Sequence, residues 1–186
     1  MKLIPIFVSE DSADGLWSIQ LDGEKQSEFD KFLELMNNTA WLYEFFEENK
    51  ADLESDFLGN MTIGRAVLKT TGEIGHMEDA LYDSAEQGFV AGSNNLQHLF
   101  KPLNNFEYAI ATHQKSKVRI LKGWLRVYAI RLAQNCYLVT GGAIKLTRNM
   151  ERKHLQKELK KLDQARMFLR NNEIDYPEDL NTYQNE

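Results

Sequence analysis

The clearest alternation of apolar and polar positions runs from Trp124 to Arg131, WLRVYAIR. Leu125, Val127 and Ala129 fall on one side of an extended chain; Trp124, Arg126, Tyr128 and Ile130 fall on the other. In NCYLVT, Cys136 and Leu138 face opposite to Tyr137 and Val139. Both runs are rich in β-branched and aromatic residues, which favours strands. Leu132–Gln134 is short enough for a hairpin loop, so the pattern predicts an antiparallel pair. Gly141 and Gly142 then mark a break. Arginine and tyrosine on one side, with small apolar residues on the other, predict a half-covered sheet with a working face. A last helix starts near Asn149, carries a stripe of Leu155, Leu159, Leu162, Ala165 and Leu169, and stops at Asn171–Asn172. Lys153, Lys157, Lys160 and Lys161 crowd its other faces.

Upstream, LIPIFV at residues 3–8 reads as a strand, with Pro5 placing it at a sheet edge. Asp11–Gly15 is turn chemistry, and Leu16–Leu21 reads as a second strand. A calcium loop at that turn fails at Ala13 and lacks a closing glutamate. Ser27, with Asp30 three residues on, caps a helix striped by Phe29, Phe32, Leu33 and Met36. Asn37–Asn38 breaks it. Thr39 caps the next helix, whose Trp41, Leu42, Phe45 and Phe46 form an aromatic face destined for the core. Thr62 to about Gln87 carries Ile63, Val67, Thr70, Ile74, Met77 and Leu81 at helical spacing. It reads as one long helix or two with a bend, since Gly64, Gly72 and Gly75 each weaken a helix by about 1 kcal/mol relative to alanine.

GFVAGSNN at residues 88–95 reads as a linker. A helical turn follows at Asn94–Phe100, ending at Pro102. Phe106–Ala111 and Val118–Leu121 are weaker strands separated by the polar THQKSK. Asp175–Glu186 is a polar, acidic tail, frayed or ordered by a partner. The chain thus divides into residues 1–93, short strands then helices packed on the sheet; 94–172, the sheet and its C-terminal helix; and the tail at 173–186.

Charge sharpens this division. Residues 1–100 hold six Lys/Arg against 19 Asp/Glu, a net of −13, whereas residues 101–186 hold 16 against 9, a net of +7. Such a split suits a C-terminal half that meets something anionic; the alternative is that the halves neutralise each other across their contact. The 186 residues, 42% hydrophobic and 11% aromatic, can fill a core, so global disorder is excluded. One cysteine excludes a disulfide scaffold and fits a reducing compartment. The start, MKLIPIFVSED, has too short an apolar run for a secretory signal, and no window approaches the roughly 20 apolar residues of a membrane span. The expectation is a soluble cytoplasmic protein without membrane association.

Cofactor motifs are missing. TGGAIKLT has a lysine and a threonine at the wrong spacing for a phosphate loop. His76, His98, His113 and His154 form no ligand pair, Cys136 sits alone inside a strand, and no serine elbow occurs. No cofactor or metal is expected. What remains is a density of cations among aromatics. Lys115, Lys117, Arg119, Lys122, Arg126 and Arg131 precede or lie in the central strands, and Lys145, Arg148, Arg152 and Lys153 follow them. Trp124 and Tyr128 share the predicted face of Arg126. Cations meet phosphates and aromatic faces stack unpaired bases, so the combination suits RNA. The plainer alternative is a solvated sheet edge with Arg126 paired to an N-terminal carboxylate.

The order LFKPL, a Lys-rich stretch, WLRVYAIR, NCYLVTGGAIKLT and a helix with KELKKLDQARMFL resembles the RelE/HigB-like superfamily of toxins over about residues 96–172. The resemblance implies an α+β fold with a curved antiparallel sheet and flanking helices, to which the acidic helical N-terminal region is an extension. It implies a bacterial type II toxin, a ribosome-dependent mRNA endonuclease, with mRNA on the ribosome and an antitoxin, a helix-turn-helix protein, as partners. The alternative is a non-catalytic RNA- or protein-binding module. Arg126 matches the strand arginine used on phosphate. Lys117, Arg119 and Lys122 fall near the preceding basic positions, Lys145 and Arg148 near the later one, and His154 where some members place a late histidine. Shorter N-terminal parts in that superfamily make residues 1–93 a departure.

Such a site needs no metal: a base takes the proton of the RNA 2′-hydroxyl and cations stabilise the crowded phosphate. Like-charge repulsion lowers a lysine's pKa, so Lys117, Lys122 or Lys145 could be the base. Arg126 would hold the phosphate oxygens, and Tyr128 would orient a base. Lys115, Arg119, Trp124, Arg131, Arg148, Lys153 and His154 complete the expected RNA-binding set.

Overall fold

A computed structural model describes residues 1–55, 61–90, 94–103, 111–120 and 123–185. The fold is α+β. In chain order, β1 (Lys2–Val8) and β2 (Gly15–Gln20) are followed by α1 (Glu28–Asn37), α2 (Thr39–Glu48), α3 (Lys50–Leu53) and α4 (Ile63–Gln87). Next come α5 (Leu96–Leu99), β3 (Lys101–Pro102), β4 (Gln114–Val118), β5 (Leu125–Ala133), β6 (Cys136–Ile144), α6 (Lys153–Asn171) and α7 (Pro177–Asn185). The strands form one six-stranded sheet in the order β1-β2-β6-β5-β4-β3.

The sheet is mixed rather than antiparallel, because β2 runs parallel to β6, with Gly15 opposite Cys136 and Ser18 opposite Val139. The acidic N-terminal region therefore contributes two strands to the sheet as well as helices. Pro5 lies in the edge strand beside a bulge, where a missing N–H costs no ladder bond.

The alternation in β5 sorts its side chains onto two faces, and both faces are covered. Leu125, Val127 and Ala129 pack with Phe29, Phe32 and Met36 of α1, Phe46 of α2 and Ile74 and Met77 of α4. Tyr128, Ile130 and Leu132 pack with Leu155, Leu162, Ala165 and Leu169 of α6. The predicted half-open sheet is thus corrected: a helical layer lies on each side. The tail is corrected too. It forms α7, buries Leu180 on the α6 side and ties Gln184 Nε2 to the Leu3 carbonyl at 2.8 Å.

Helix starts follow their caps. Ser27 Oγ accepts from the Asp30 N–H at 3.1 Å. For α2 the cap is Asn38 rather than Thr39, its side chain accepting from the Trp41 N–H at 3.0 Å. The helix from Ile63 to Gln87 is a single element of 25 residues. The glycine pair does not break β6, which continues to Ile144. Gly141 has φ +145° where the register passes over Thr140, with Tyr128 opposite Gly141 and Ala129 opposite Val139. A Cβ at Gly141 would lie 2.2 Å from Glu158 Oε2, and one at Gly142 would lie 2.5 Å from the Phe32 ring. The pair admits α6 on one face and α1 on the other.

The polar stretch before Val118 is strand β4, in which buried Gln114, Ser116 and Val118 alternate with half-buried Lys115 and Lys117. The strand expected at Val118–Leu121 therefore ends at Val118, with Leu121 outside the described residues; Phe106–Ile110 also lie outside them, and Ala111 is not in a strand. No helix is long and apolar enough to cross a membrane among the described residues.

Candidate functional site

Strand pairing brings the basic segments together. Lys117 of β4 sits opposite Tyr128 of β5, and Arg126 sits opposite Ala143 of β6. Arg126 and Tyr128 are two apart, so they share a face. Just beyond β6, the Lys145 N–H bonds the Trp124 carbonyl at 2.8 Å, which brings that lysine to the same end of the sheet. The result is a cleft of about 470 Å³ lined by Lys117, Arg119, Arg126, Tyr128, Lys145 and Arg148, with Leu103, Met150 and Leu159 as an apolar wall. Five cations line it, and no carboxylate is among these lining residues.

Main-chain carbonyls orient three of these cations. Arg126 Nη1 donates to the Gly123 and Leu125 carbonyls at 3.0 and 2.6 Å. Lys117 Nζ donates to the Leu103 carbonyl at 2.8 Å, and Lys145 Nζ to the carbonyls of Thr147 and Arg148. Burial, then the charge of Arg126, lowers the pKa of Lys117. Burial lowers that of Lys145 as well, with Arg126, Lys117 and Arg119 adding to the effect. Both causes disfavour an ammonium: lost hydration and like-charge repulsion. The Arg126 pKa is lowered by burial and then by Arg119, yet a guanidinium keeps its charge at any ordinary pH. The cleft is a concentrated positive field at a half-buried site, where screening by salt is weaker than at the surface.

Tyr128 forms the floor. Its residue is 1% exposed, its hydroxyl lies 3.6 Å from Met150 Sδ, and burial pushes its pKa up. A ring so enclosed presents no face for a base to stack on. The other expected residues are dispersed. Trp124 is in the core on the opposite face from Arg126, donating from Nε1 to Thr70 Oγ1 at 3.0 Å, with the Lys69 ammonium 5.0 Å from its ring. Lys115 pairs with Asp163 at 2.5 Å. Arg131 donates to Gln97 Oε1 at 3.0 Å, away from the cleft. Lys153 and His154 line a different groove. Lys122 lies outside the described residues.

Among the described residues Glu28, Glu73 and Glu158 are buried carboxylates that were not sequence candidates, and the last two lie in the helices that cover the sheet. Glu73 accepts from the Leu125 N–H at 2.9 Å and the Trp124 N–H at 3.3 Å, pinning the entry of β5. Glu158 is buried on α6 beside Gly141. Glu73 and Glu158 interrupt the apolar stripes of their helices, between Thr70 and Met77 and between Leu155 and Leu162. An acidic residue at a core position was the available signal. Among the described residues, no group of three or more His, Cys, Asp or Glu is placed to hold a metal. No family model, curated protein or solved structure matches the chain.

Proposed function

We propose that the cationic cleft binds the phosphodiester backbone of single-stranded RNA and cleaves it, as a toxin-type mRNA endonuclease would. One observation carries this reading: Lys117, Arg119, Arg126, Lys145 and Arg148, scattered over 32 positions of sequence, converge on one cleft with an apolar wall. The forked guanidinium of Arg126 suits two phosphate oxygens. Lys117, whose pKa is lowered, takes the proton of the 2′-hydroxyl when its amine is neutral. The 2′-oxygen attacks phosphorus, the bond to the 5′-oxygen breaks, and the Lys145 ammonium protonates that leaving oxygen. The products are a 2′,3′-cyclic phosphate and a 5′-hydroxyl. Leu103, Met150 and Leu159 give a base an apolar surface in place of the enclosed Tyr128 ring. An antitoxin that covers the cleft would present carboxylates to it.

A second reading, an RNA-binding module without cleavage, is favoured by the amines of Lys117 and Lys145 donating to carbonyls. That geometry fits protonated anchors rather than bases. Incubation of the full chain with a short RNA and its all-deoxy counterpart separates the two. Cleavage of RNA alone, with a cyclic phosphate product and loss of about 100-fold or more in rate on Lys117→Met, supports the endonuclease. Binding without cleavage, weakened by Arg126→Ala with a salt slope shallower by about 0.7, supports the module. Unchanged RNA affinity in folded Arg126→Ala sinks both. In a bacterial host, growth arrest and mRNA breakdown on induction of the wild type but not of Arg126→Ala would mark toxin action.

A further inference from the structure

A second groove lies on the other side of the α6 start, between α1, α2 and the end of β6. It has a volume of about 590 Å³, and Trp41, Phe45, His154, Glu158, Lys153 and Lys157 are among its lining residues. That size is ordinary for a small-molecule site, roughly 300–1,000 Å³.

Its walls differ in chemistry. Trp41 is half-exposed and stacks on Phe45, with ring centroids 5.3 Å apart and planes 23° apart. The His154 and Phe45 rings lie nearly perpendicular, with centroids 5.2 Å apart. Trp41 is therefore backed by packing, and part of its half-exposed surface lines the groove. On the sheet side, pairing with β2 ends at Val139, so the rest of β6 has no neighbouring strand on that edge. The Lys145 N–H points to β5. By the antiparallel alternation, Ile144 and Gly142 direct their N–H and C=O groups away from β5, to the groove side. The Ile144 carbonyl is taken by His154 Nε2 at 2.9 Å. At the base of the groove, Glu158 is 7% exposed, with Oε1 2.6 Å from Lys161 Nζ and Oε2 without a hydrogen-bond partner. A buried acceptor without a donor is rare and costly. The terminal torsion of a glutamate is soft, so a small turn of the carboxylate brings either oxygen to a ligand. Lys153 and Lys157 are exposed at the rim.

We propose that this groove binds a guanine nucleotide. The base lies on Trp41, its adjacent N1–H and N2–H donate to the Glu158 carboxylate, and its O6 accepts from the Gly142 N–H. Lys153 and Lys157 meet the phosphate. Adenine presents an acceptor where guanine presents N1–H, so it leaves the ionised Glu158 carboxylate unmatched. The inference does not depend on the cationic cleft, whose residues are not in the groove.

Trp17 and Trp124 are 0% and 3% exposed, so ligand-dependent changes in tryptophan emission report on Trp41. Titration of the full chain at about pH 8, where the Glu158 carboxyl is ionised, with guanosine monophosphate, adenosine monophosphate, guanosine and inorganic phosphate, read by emission and by calorimetry, tests the proposal. Guanosine monophosphate should quench emission and bind about tenfold or more tightly than adenosine monophosphate. Glu158→Gln should abolish that preference. Lys153→Gln with Lys157→Gln should weaken the nucleotide but not guanosine, and Trp41→Leu should remove the quench while calorimetry still detects weaker binding. No binding of guanosine monophosphate at about millimolar concentration, weaker than any useful site, would overturn it. So would equal affinity for both nucleotides, or a folded Glu158→Gln that still discriminates.

Discussion

Glu158→Gln should change how stability depends on pH, and the structure fixes the sign. The carboxyl sits beneath the bulge in β6, against Gly141. Burial pushes its pKa up from 4.5 to about 7, although Lys161 is 2.6 Å away. Lys161 is shared: it also contacts Glu28 at 2.6 Å, so its charge is divided between two carboxylates. In the unfolded chain Glu158 ionises near its ordinary value; in the folded protein it holds its proton until about pH 7. Between those limits the folded state binds more protons, so stability falls as pH rises. At about 1.4 kcal/mol per pKa unit, the full loss is about 3 kcal/mol. Two neighbours titrate differently. The Glu28 pKa is lowered, burial being outweighed by its bonds to Lys161 and Lys31, so its contribution is lost only as pH falls below the ordinary glutamate range. The His154 pKa is lowered by burial, so its effect favours stability as pH rises toward the ordinary histidine value. Subtracting the wild-type curve from the variant curve cancels both to first order. Urea unfolding at about pH 5, 6, 7 and 8 should give a difference near zero at the acid end, where Gln mimics the protonated acid. The variant should become more stable by up to about 3 kcal/mol at the alkaline end. A difference that stays flat across this range would show the carboxylate ionised throughout, and the argument from burial would fail.

The other predictions concern the core and the cleft. Glu73→Ala leaves the Trp124 and Leu125 N–H groups without their acceptor and should cost about 2–4 kcal/mol in urea unfolding, with Glu73→Gln costing about half as much. Phe46→Ala removes a fully buried ring that lies 5.5 Å from Trp124 and should cost about 3–5 kcal/mol, lowering one shared transition of helices and sheet. Two separate transitions would show that the α2 layer unfolds on its own. A phosphorylated ligand that occupies the cleft at 100 times its dissociation constant should stabilise by about 2.7 kcal/mol, seen as a higher Tm at matched ionic strength. The shift should vanish in Arg126→Ala.

Period and punctuation in the sequence carry much of this fold. The strands at residues 3–8 and 16–21, the hairpin after WLRVYAIR and the Ser27 cap follow from alternation, Pro5 and Asn37–Asn38. What stayed hidden depends on tertiary context. β4 is a strand whose inward residues include Gln114 and Ser116, so its period of two carries little hydrophobic contrast. Gly141–Gly142 looks like a break because close approach of Phe32 and Glu158 cannot be seen in a one-dimensional pattern. The parallel pairing of β2 with β6 joins residues more than 100 positions apart, with no local signal. For the cleft, Lys117, Arg126 and Lys145 were legible as cations flanking strands. Trp124 was misplaced because it precedes the regular strand: β5 begins at Leu125, and the pleat does not govern the residue before it. Lys115 and Lys117 show the limit most plainly. They share a strand face, yet one meets Asp163 of α6 and the other enters the cleft.

The charge split resolves in space into two kinds of contact. Several cations outside the cleft meet carboxylates: Lys31 with Glu24 and Glu28, Lys69 with Glu73, Lys115 with Asp163, Arg152 with Asp52, and Lys161 with Glu28 and Glu158. Arg152–Asp52 and Lys161–Glu28 join the basic C-terminal half to the acidic N-terminal half, so neutralisation across the contact is part of the architecture. Water and salt screen the exposed Arg152–Asp52 pair, and the largely buried Lys161–Glu28 pair gives back in lost hydration much of what it gains, so the hydrophobic term of Phe29, Phe32 and Phe46 holds the layers together. In the cleft, Arg126 and Lys145 meet carbonyls instead. A carbonyl orients a cation but leaves its charge in place, and gathering such charges at a half-buried site raises the energy of the folded state. Partial burial of Lys117, Arg126 and Lys145 adds a further cost, visible as the lowered pKa of each. A multivalent anion reverses both terms at once: it supplies the opposite charge and replaces the lost hydration. That local cost, more than the net charge of either half, favours an anionic ligand at the cleft.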